Sequence, residues 1–225
     1  MKKYAIIVGG GKGERLGSPI PKQFLPLKGY PVIWWSMKSF LDNDKSTNLI
    51  LVLPEEYVEE WKKLFHALPE ENQFPHQIIS GGVSRTESVR KGLSLIKDVD
   101  SFTAVHDAAR PLVNAGMIER GWQTAYKDGA AVPAVALSDS LRMKTEDNTV
   151  AVDRSLFLAV QTPQIFKTSY LIEGYNKISE KTFTDDASVV EASGRKVTIY
   201  EGDPANIKVT HPGDIEIATL LMRDR

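Results

Sequence analysis

The sequence predicts an α/β fold with a mostly parallel central sheet, and two observations carry that prediction. Short apolar runs rich in β-branched residues alternate with amphipathic stretches of helical period along much of the chain. The residues best suited to chemistry follow the carboxyl ends of those runs, where open parallel sheets collect their ligands. The first run is Tyr4-Ala5-Ile6-Ile7-Val8, followed at once by the glycine-rich stretch GGGKGERLGSPIPKQ at 9–23. A helix is expected over 31–41, with Pro31 tolerated in a first turn that needs no N–H from it. LILVL at 49–53, HQIIS at 76–80 and FTAVH at 102–106 read as further strands, with helices over 55–67, 84–96 and 115–127. Ser84 serves as N-cap of the third helix, and Glu87 completes its capping box.

The stretch 130–153 breaks this rhythm. Apolar AAVPAVAL is followed by SDSLRMK, the turn-like Glu146-Asp147-Asn148 and then TVAVD, which together read as an antiparallel hairpin. Its polar residues are too many for a buried central strand, so the hairpin is expected to project, and a partner subunit is the economical cover. Near the C-terminus Lys208 is expected in a short strand before a last helix at 214–222.

Composition narrows the class. At 225 residues the chain suits one large domain with a substantial core. With 28 Lys+Arg against 29 Asp+Glu and no long run of one sign, it carries no electrostatic footprint for nucleic acid or membrane. The absence of cysteine excludes disulfides, thiolate zinc sites and cysteine nucleophiles, and fits a reducing cytoplasm. The N-terminal apolar run is too short for a signal peptide, and nothing approaches the ~20 continuous apolar residues that span a bilayer. A soluble cytoplasmic protein is the expectation.

In the loop after the first strand, glycines let backbone N–H groups approach an anion, and Lys12, Arg15 and Lys22 bring positive charge. A triphosphate is the natural guest. A Walker loop would need Ser or Thr after Gly-Lys, where Gly13 stands. A dinucleotide fingerprint fits only as GxGxxxG; Pro19 and Pro21 break the helix it requires, and LKGYPV occupies the region of its acidic residue. A strand-to-helix turn with glycines for geometry alone is the plain alternative.

The other candidates each have two readings. Gly81-Gly82 before Ser84 is either a capped helix or a nucleoside pocket, with Gly82 admitting a base or ribose and Ser88 offering a hydroxyl. Asp107 ends a strand where a divalent ion bridging phosphates would sit, or it pairs with Arg110 as a structural bridge. Ala108 and Ala109 leave room for a ligand, and His106 faces the sheet interior or bonds locally. By local pattern Lys208 is an exposed lysine, and Thr184 or Asp185 a helix N-cap.

In order and at suitable intervals, the glycine loop with its arginine, PKQ, GGxxRxxSV, HDAARP, VDR, QTPQ, TDDAS and NIKVT resemble the 2-C-methyl-D-erythritol 4-phosphate cytidylyltransferases of the non-mevalonate isoprenoid pathway. The resemblance runs nearly end to end. It implies a single Rossmann-like nucleotidyltransferase domain over 1–225, with a protruding β-arm at about 137–156 that interlocks a homodimer. The implied reaction joins CTP to 2-C-methyl-D-erythritol 4-phosphate, giving 4-diphosphocytidyl-2-C-methyl-D-erythritol and pyrophosphate, with Mg²⁺ or another divalent cation. By resemblance Gly9, Gly10, Gly11 and Gly13 hold the triphosphate, Gly82 and Ser88 the cytidine, and Ala108 and Arg110 border the nucleotide. Asp107 is the implied metal ligand. Arg15 and Lys22 look like transition-state stabilisers, and Lys208 like a residue that positions phosphates. Ser140 and Arg154 would reach the sugar phosphate of the neighbouring subunit, with Thr162 and Thr184 in the receiving site.

A phosphate monoester is already anionic, so such a reaction needs no general base and reduces to alignment and charge neutralisation. The sequence departs from the family pattern at Val83, where some members carry Asp, at Ser140, where threonine is familiar, and at Ala205, where others carry a polar or acidic residue. The nearest alternative is a ribitol-5-phosphate cytidylyltransferase, which shares the loop, PKQ, TPQ and NIKVT; HDAARP and TDDAS favour the methylerythritol enzyme. A dinucleotide-dependent oxidoreductase and a non-catalytic nucleotide-binding protein are the alternatives from other classes.

Overall fold

The structure is a computed structural model that describes residues 1–10, 20–177 and 183–222. Strand β1 (Lys3–Val8) is followed by a small ribbon of β2 (Pro26–Leu27) and β3 (Tyr30–Pro31), then α1 (Val32–Asn43), β4 (Asn48–Leu53), α2 (Glu55–His66), β5 (Gln77–Ser80), α3 (Arg85–Ser94), β6 (Phe102–Asp107) and α4 (Ala115–Asp128). These bounds match the alternation read from the sequence. β1 lies between β6 and β4 in parallel, with Ile6 opposite both Val105 and Ile50, and β5 extends the sheet beyond β4.

The apolar runs are continuous because both faces of the sheet are covered. Ala5 and Ile7 of β1 pack with Phe40 of α1, Trp61 of α2 and Trp122 of α4. Ile6 and Val8 face the other way, toward Val89 and Leu93 of α3. Helix α4 starts on an Asn114 cap that accepts from the Met117 N–H, and it stops at Gly129, whose φ of 84° few other residues adopt readily.

The second half departs from the expectation. Residues 130–136, read as one limb of a projecting hairpin, form β7 (Ala130–Ala136) inside the main sheet. The physical reason is that Ala130 to Ala134 are small and apolar and can be buried, whereas the polar residues begin only beyond Ala136. The hairpin proper is β8 (Leu141–Lys144) with β9 (Thr149–Val152), a separate two-stranded ribbon with Leu141 opposite Val152.

The chain then returns through β10 (Leu158–Val160), antiparallel to β7, and β11 (Gln164–Lys167), antiparallel to both β6 and β7. Helices α5 (Thr168–Lys177) and α6 (Asp186–Ala192) cover β11, β12 (Thr198–Glu201) pairs with β7 in parallel, and α7 (Asp214–Leu221) closes the described chain. The sheet is therefore mixed, its parallel part running from β6 through β5. Lys208 is not in a strand: residues 206–210 run as irregular chain, tied to the sheet edge by the Val209 N–H donating to the Ala109 carbonyl at 2.8 Å. No helix among the described residues is long and apolar enough to cross a membrane.

Helix α6 owes its place to a close approach at Gly174 of α5. A Cβ there would stand 3.0 Å from the Val189 carbonyl oxygen and 3.0 Å from Val189 Cγ1. Gly174→Val is expected to push the two helices apart at a cost of about 1–3 kcal/mol, read as a lower urea midpoint at unchanged slope.

Candidate active site

The carboxyl ends of β1, β4, β5 and β6 open on one edge, and the loops that follow them are held by side chains from elsewhere in the chain. The Gly9 N–H continues the β1–β4 pairing by donating to the Val52 carbonyl at 2.9 Å. Its own carbonyl accepts from Gln23 Nε2 at 3.0 Å, and Gln23 is buried. The PKQ motif thus supplies an anchor in Gln23, which sets Lys22 at the rim of a cavity. A Cβ at position 9 would lie 2.7 Å from Leu53 Cδ2, so a larger residue there would force the buried Leu53 side chain to shift.

At the next strand end the Ser84 hydroxyl accepts from the Glu87 N–H at 3.1 Å, as the capping box requires, but the return bond is shifted by one residue. The Glu87 carboxylate accepts from Val83 N–H at 2.9 Å, not from Ser84. Ser88 is buried; its hydroxyl donates to the Ser84 carbonyl at 2.9 Å and accepts from the Gly82 N–H at 3.1 Å. It therefore shapes the glycine turn, and as a residue lining the cavity it keeps one acceptor site unused by these two bonds.

Asp107 stands at the end of β6 among three cations. Its Oδ2 lies 2.7 Å from Lys208 Nζ and 3.9 Å from Arg110 Nε, and its Oδ1 lies 3.5 Å from Arg85 Nε. Burial alone would raise its pKa, but Arg85, Lys208 and Arg110 outweigh that and hold the carboxyl well below the usual carboxylate range. The bridge to Arg110 read from the sequence is thus the longest of the three contacts.

The backbone behind Asp107 is fixed by a hydrogen-bond chain through His106, which is fully buried. His106 Nε2 lies 3.1 Å from the Arg110 carbonyl, which can only accept, so Nε2 carries the proton and Nδ1 is bare. The Thr162 hydroxyl at 3.0 Å then donates to Nδ1 and accepts from the Asp107 N–H at 3.1 Å. Burial pushes the His106 pKa down to about 4, which keeps the ring neutral and this direction of bonding intact near neutral pH. The segment bearing Lys208 is strapped on from the same side. Arg110 Nη1 donates to the Asn206 carbonyl at 2.7 Å, and Asn206 Nδ2 donates to the Thr162 carbonyl at 2.9 Å.

Two hollows meet at this carboxylate. The first, about 290 Å³, is lined by Gly9, Gly10, Lys22, Gly82, Ser88, Asp107, Ala108 and Lys208 together with Val83 and Arg85. The second, about 510 Å³, is lined by Arg110, Thr162 and Thr184 with Gln161, Gln164, Asp185 and Ser188. Arg85, Asp107 and Lys208 belong to both walls. Asp185, not Thr184, caps α6, accepting from the Ser188 N–H at 3.0 Å. Gly11, Gly13 and Arg15, and Lys12 beside them, lie outside the described residues. Ser140 and Arg154 are exposed near the ribbon, with Arg154 donating to the Ser138 carbonyl, and line neither hollow.

Arg85 is the main residue that the sequence reading passed over. A signal was there: a cation in the first turn of a helix opposes the macrodipole and needs carboxylate partners to offset it. Gln161, in the connection after β10, and Gln164, which opens the short strand β11, are two further polar residues of the site that local pattern does not assign.

Two hollows separated by one cation-ringed carboxylate suit the transfer of a group between two phosphates, which is the work of a nucleotidyltransferase. The family model for IspD, 2-C-methyl-D-erythritol 4-phosphate cytidylyltransferase, matches residues 4–224, and the chain belongs to that family. The 2-C-methyl-D-erythritol 4-phosphate cytidylyltransferase of Bacteroides thetaiotaomicron is 41% identical over 224 residues, covering 99% of this chain and 100% of the relative. That of Azobacteroides pseudotrichonymphae is 42% identical over 223 residues, covering 98% and 99%. The crystal structure of the Thermus thermophilus enzyme superposes with a TM-score of 0.77 at 30% identity, covering 99% of this chain and 100% of that one.

The bonding through Thr162 makes a direct prediction. Thr162→Val leaves the Asp107 N–H and His106 Nδ1 without partners, and a loss of about 2–4 kcal/mol is expected in urea denaturation, while Thr162→Ser keeps the hydroxyl and loses less than about 1 kcal/mol.

Proposed function

We propose that the first hollow takes CTP and the second takes 2-C-methyl-D-erythritol 4-phosphate, so that the chain transfers CMP to the sugar phosphate in non-mevalonate isoprenoid biosynthesis. The observation that carries this reading is the common wall of Arg85, Asp107 and Lys208, which sets the two hollows on either side of one point of charge. A phosphate oxygen of the acceptor attacks the α-phosphorus of CTP, a new P–O bond forms, and pyrophosphate leaves with the electrons of the broken P–O bond. The nucleophile is already an anion, so no proton has to be removed by the protein.

The residues divide the labour accordingly. Gly9, Gly10, Lys22 and the loop that includes Gly11, Gly13 and Arg15 receive the triphosphate. Lys22 and Arg15 neutralise charge that grows on the leaving group. Gly82 and Ser88, with Ala108, receive the nucleoside. Lys208 holds the acceptor phosphate near the α-phosphorus; Arg110, which the resemblance places beside the nucleotide, lines the second hollow and is assigned to the acceptor side instead, and Thr184 with the free lone pair of Thr162 faces the sugar hydroxyls. Ser140 and Arg154 line neither hollow of their own chain. We assign them to a second copy, which the β8–β9 ribbon would clasp in a homodimer; exposed Leu156, Phe157 and Leu158 beside it supply an apolar contact.

Among the described residues there is no cluster of three or more acidic or histidine side chains able to cage a metal alone. Asp107 is one carboxylate facing both hollows, and with Lys208 turned from its Oδ2 to the phosphates it would be free to join an ion such as Mg²⁺ brought in by the triphosphate, because Mg²⁺ is commonly held by one or two carboxylates and the substrate phosphates. Such an ion would supply further neutralisation of the phosphates.

A pyrophosphate-release assay with four nucleoside triphosphates and two acceptors tests the reading. Turnover is expected with CTP and 2-C-methyl-D-erythritol 4-phosphate; preference for ribitol 5-phosphate would overturn the acceptor assignment. Lys22→Ala and Arg15→Ala are each expected to lower kcat about 100-fold or more with CTP binding weakened less than about 10-fold, since their strongest contacts form in the transition state. Equal losses in both quantities would remove that role.

A further inference from the structure

We infer that Arg85 is a positioning residue for the transfer, gripping Asp107 from a fixed anchor on Asp186 and thereby tying the acceptor-side helix α6 to the carboxylate between the two hollows. Arg85 opens α3 directly after the glycine turn. Its Nη2 lies 2.7 Å from Asp186 Oδ2, while its Nε lies 3.5 Å from Asp107 Oδ1. The anchor is rigid. Asp186 is fully buried, and its second oxygen accepts from the Tyr175 hydroxyl at 2.6 Å. Burial and the neighbouring Asp186 hold the Tyr175 phenol well above its usual pKa, so it remains the donor.

The arrangement asks for a planar fork. Two carboxylates on different elements are addressed at once by one guanidinium, Asp186 by a hydrogen bond from Nη2 and Asp107 by the charge of Nε at 3.5 Å, a reach that a single ammonium does not reproduce. Asp107 is then gripped unequally. Arg85 faces Oδ1, whereas Lys208, with 40% of its side chain exposed, holds Oδ2, with the less exposed Arg110 Nε 3.9 Å from the same oxygen. When phosphates draw Lys208 toward themselves, Arg85 keeps the carboxylate from swinging after it. Asp186 follows Thr184 and Asp185, which line the second hollow, so a displacement of that segment is transmitted through the guanidinium to Asp107.

A buried pair with no role beyond stability would also unfold the protein more easily when broken, so the test separates position from stability. It rests on the transfer reading only where turnover is measured. For Arg85→Lys, kcat is expected to fall about 10–100-fold while the Kd for CTP changes less than about 3-fold. Asp186→Asn is expected to lower kcat in the same direction, and Arg85→Lys/Asp186→Asn to be no worse than Arg85→Lys alone, as two members of one chain of contacts require. Tyr175→Phe, which buries no unpaired charge, serves if either variant fails to fold, and a fall in kcat of about 3-fold is expected with the Kd for CTP unchanged.

Crystal structures of wild type and the same variants supply the readout that needs no turnover. The Asp107 carboxylate is expected to rotate in the variants while the backbone of 102–110 stays in place. An unmoved carboxylate, a kcat within about 2-fold of wild type for Arg85→Lys, or losses that add in the double variant would overturn the inference. If the wild-type protein releases no pyrophosphate with either acceptor, the transfer reading falls, and the rotation of Asp107 still decides the role of Arg85.

Discussion

A carboxylate carried to the end of a buried strand has to be compensated, and much of this site is the means by which Asp107 is. Losing its water costs a charged group heavily unless opposite charge and hydrogen bonds replace the hydration. Here the replacement comes from Arg110 just past Asp107 itself, from Arg85 at the start of α3 and from Lys208 in the irregular stretch before α7. Each needs its own support. Arg85 leans on Asp186, Arg110 on the Asn206 carbonyl, and the Lys208 segment on the Ala109 carbonyl through Val209. The fold around the site is thus drawn together by the need to pay for one negative charge.

A second economy lies in how the motif residues are used. Gln23 of PKQ, Thr162 of QTPQ and Asn206 of NIKVT are conspicuous polar residues, and each is committed to backbone: to the Gly9 carbonyl, the Asp107 N–H and, for Asn206, the Thr162 carbonyl. Their neighbours Lys22 and Lys208 line the hollows. Buried polar groups with specific partners fix one backbone path, since an alternative path would leave them unsatisfied at about 1–3 kcal/mol each. A short motif therefore couples a frame residue with a contact residue, and position along the motif separates them.

The parallel half of the fold was legible because its strands are buried on both faces and read as unbroken apolar runs such as LILVL, with clear helical periods between them. The return half was not. β7 has four alanines and a proline among its seven residues, which dilute the strand signal of Val132 and Val135, and β10, β11 and β12 have three or four residues each. What makes them strands is the neighbour on either side, a non-local fact absent from any window of sequence. The same distinction governs the site. The glycine loop, Gly82, Ser88 and Asp107 follow strand ends and could be placed by pattern. Lys208 and Arg85 could not be given partners that way, because the charge that holds each one sits about 100 residues away or on another strand end.

The balance of charge around Asp107 also bears on why the chemistry needs no acid or base. On the wall that both hollows share, Arg85 and Lys208 outnumber Asp107, so that wall stays positive before any ligand arrives. A triphosphate on one side and a phosphate monoester on the other repel each other, and that repulsion is the main obstacle to bringing a phosphate oxygen to phosphorus. A positive wall shared by both hollows lowers it at the place where the two anions converge, and preorganised charge does so without reorganising during the reaction. The carboxylate inside that wall keeps the cations together in the empty site. Without it, three like charges at the ends of separate segments would drive those segments apart, and the alignment on which the transfer depends would be lost before substrate arrived.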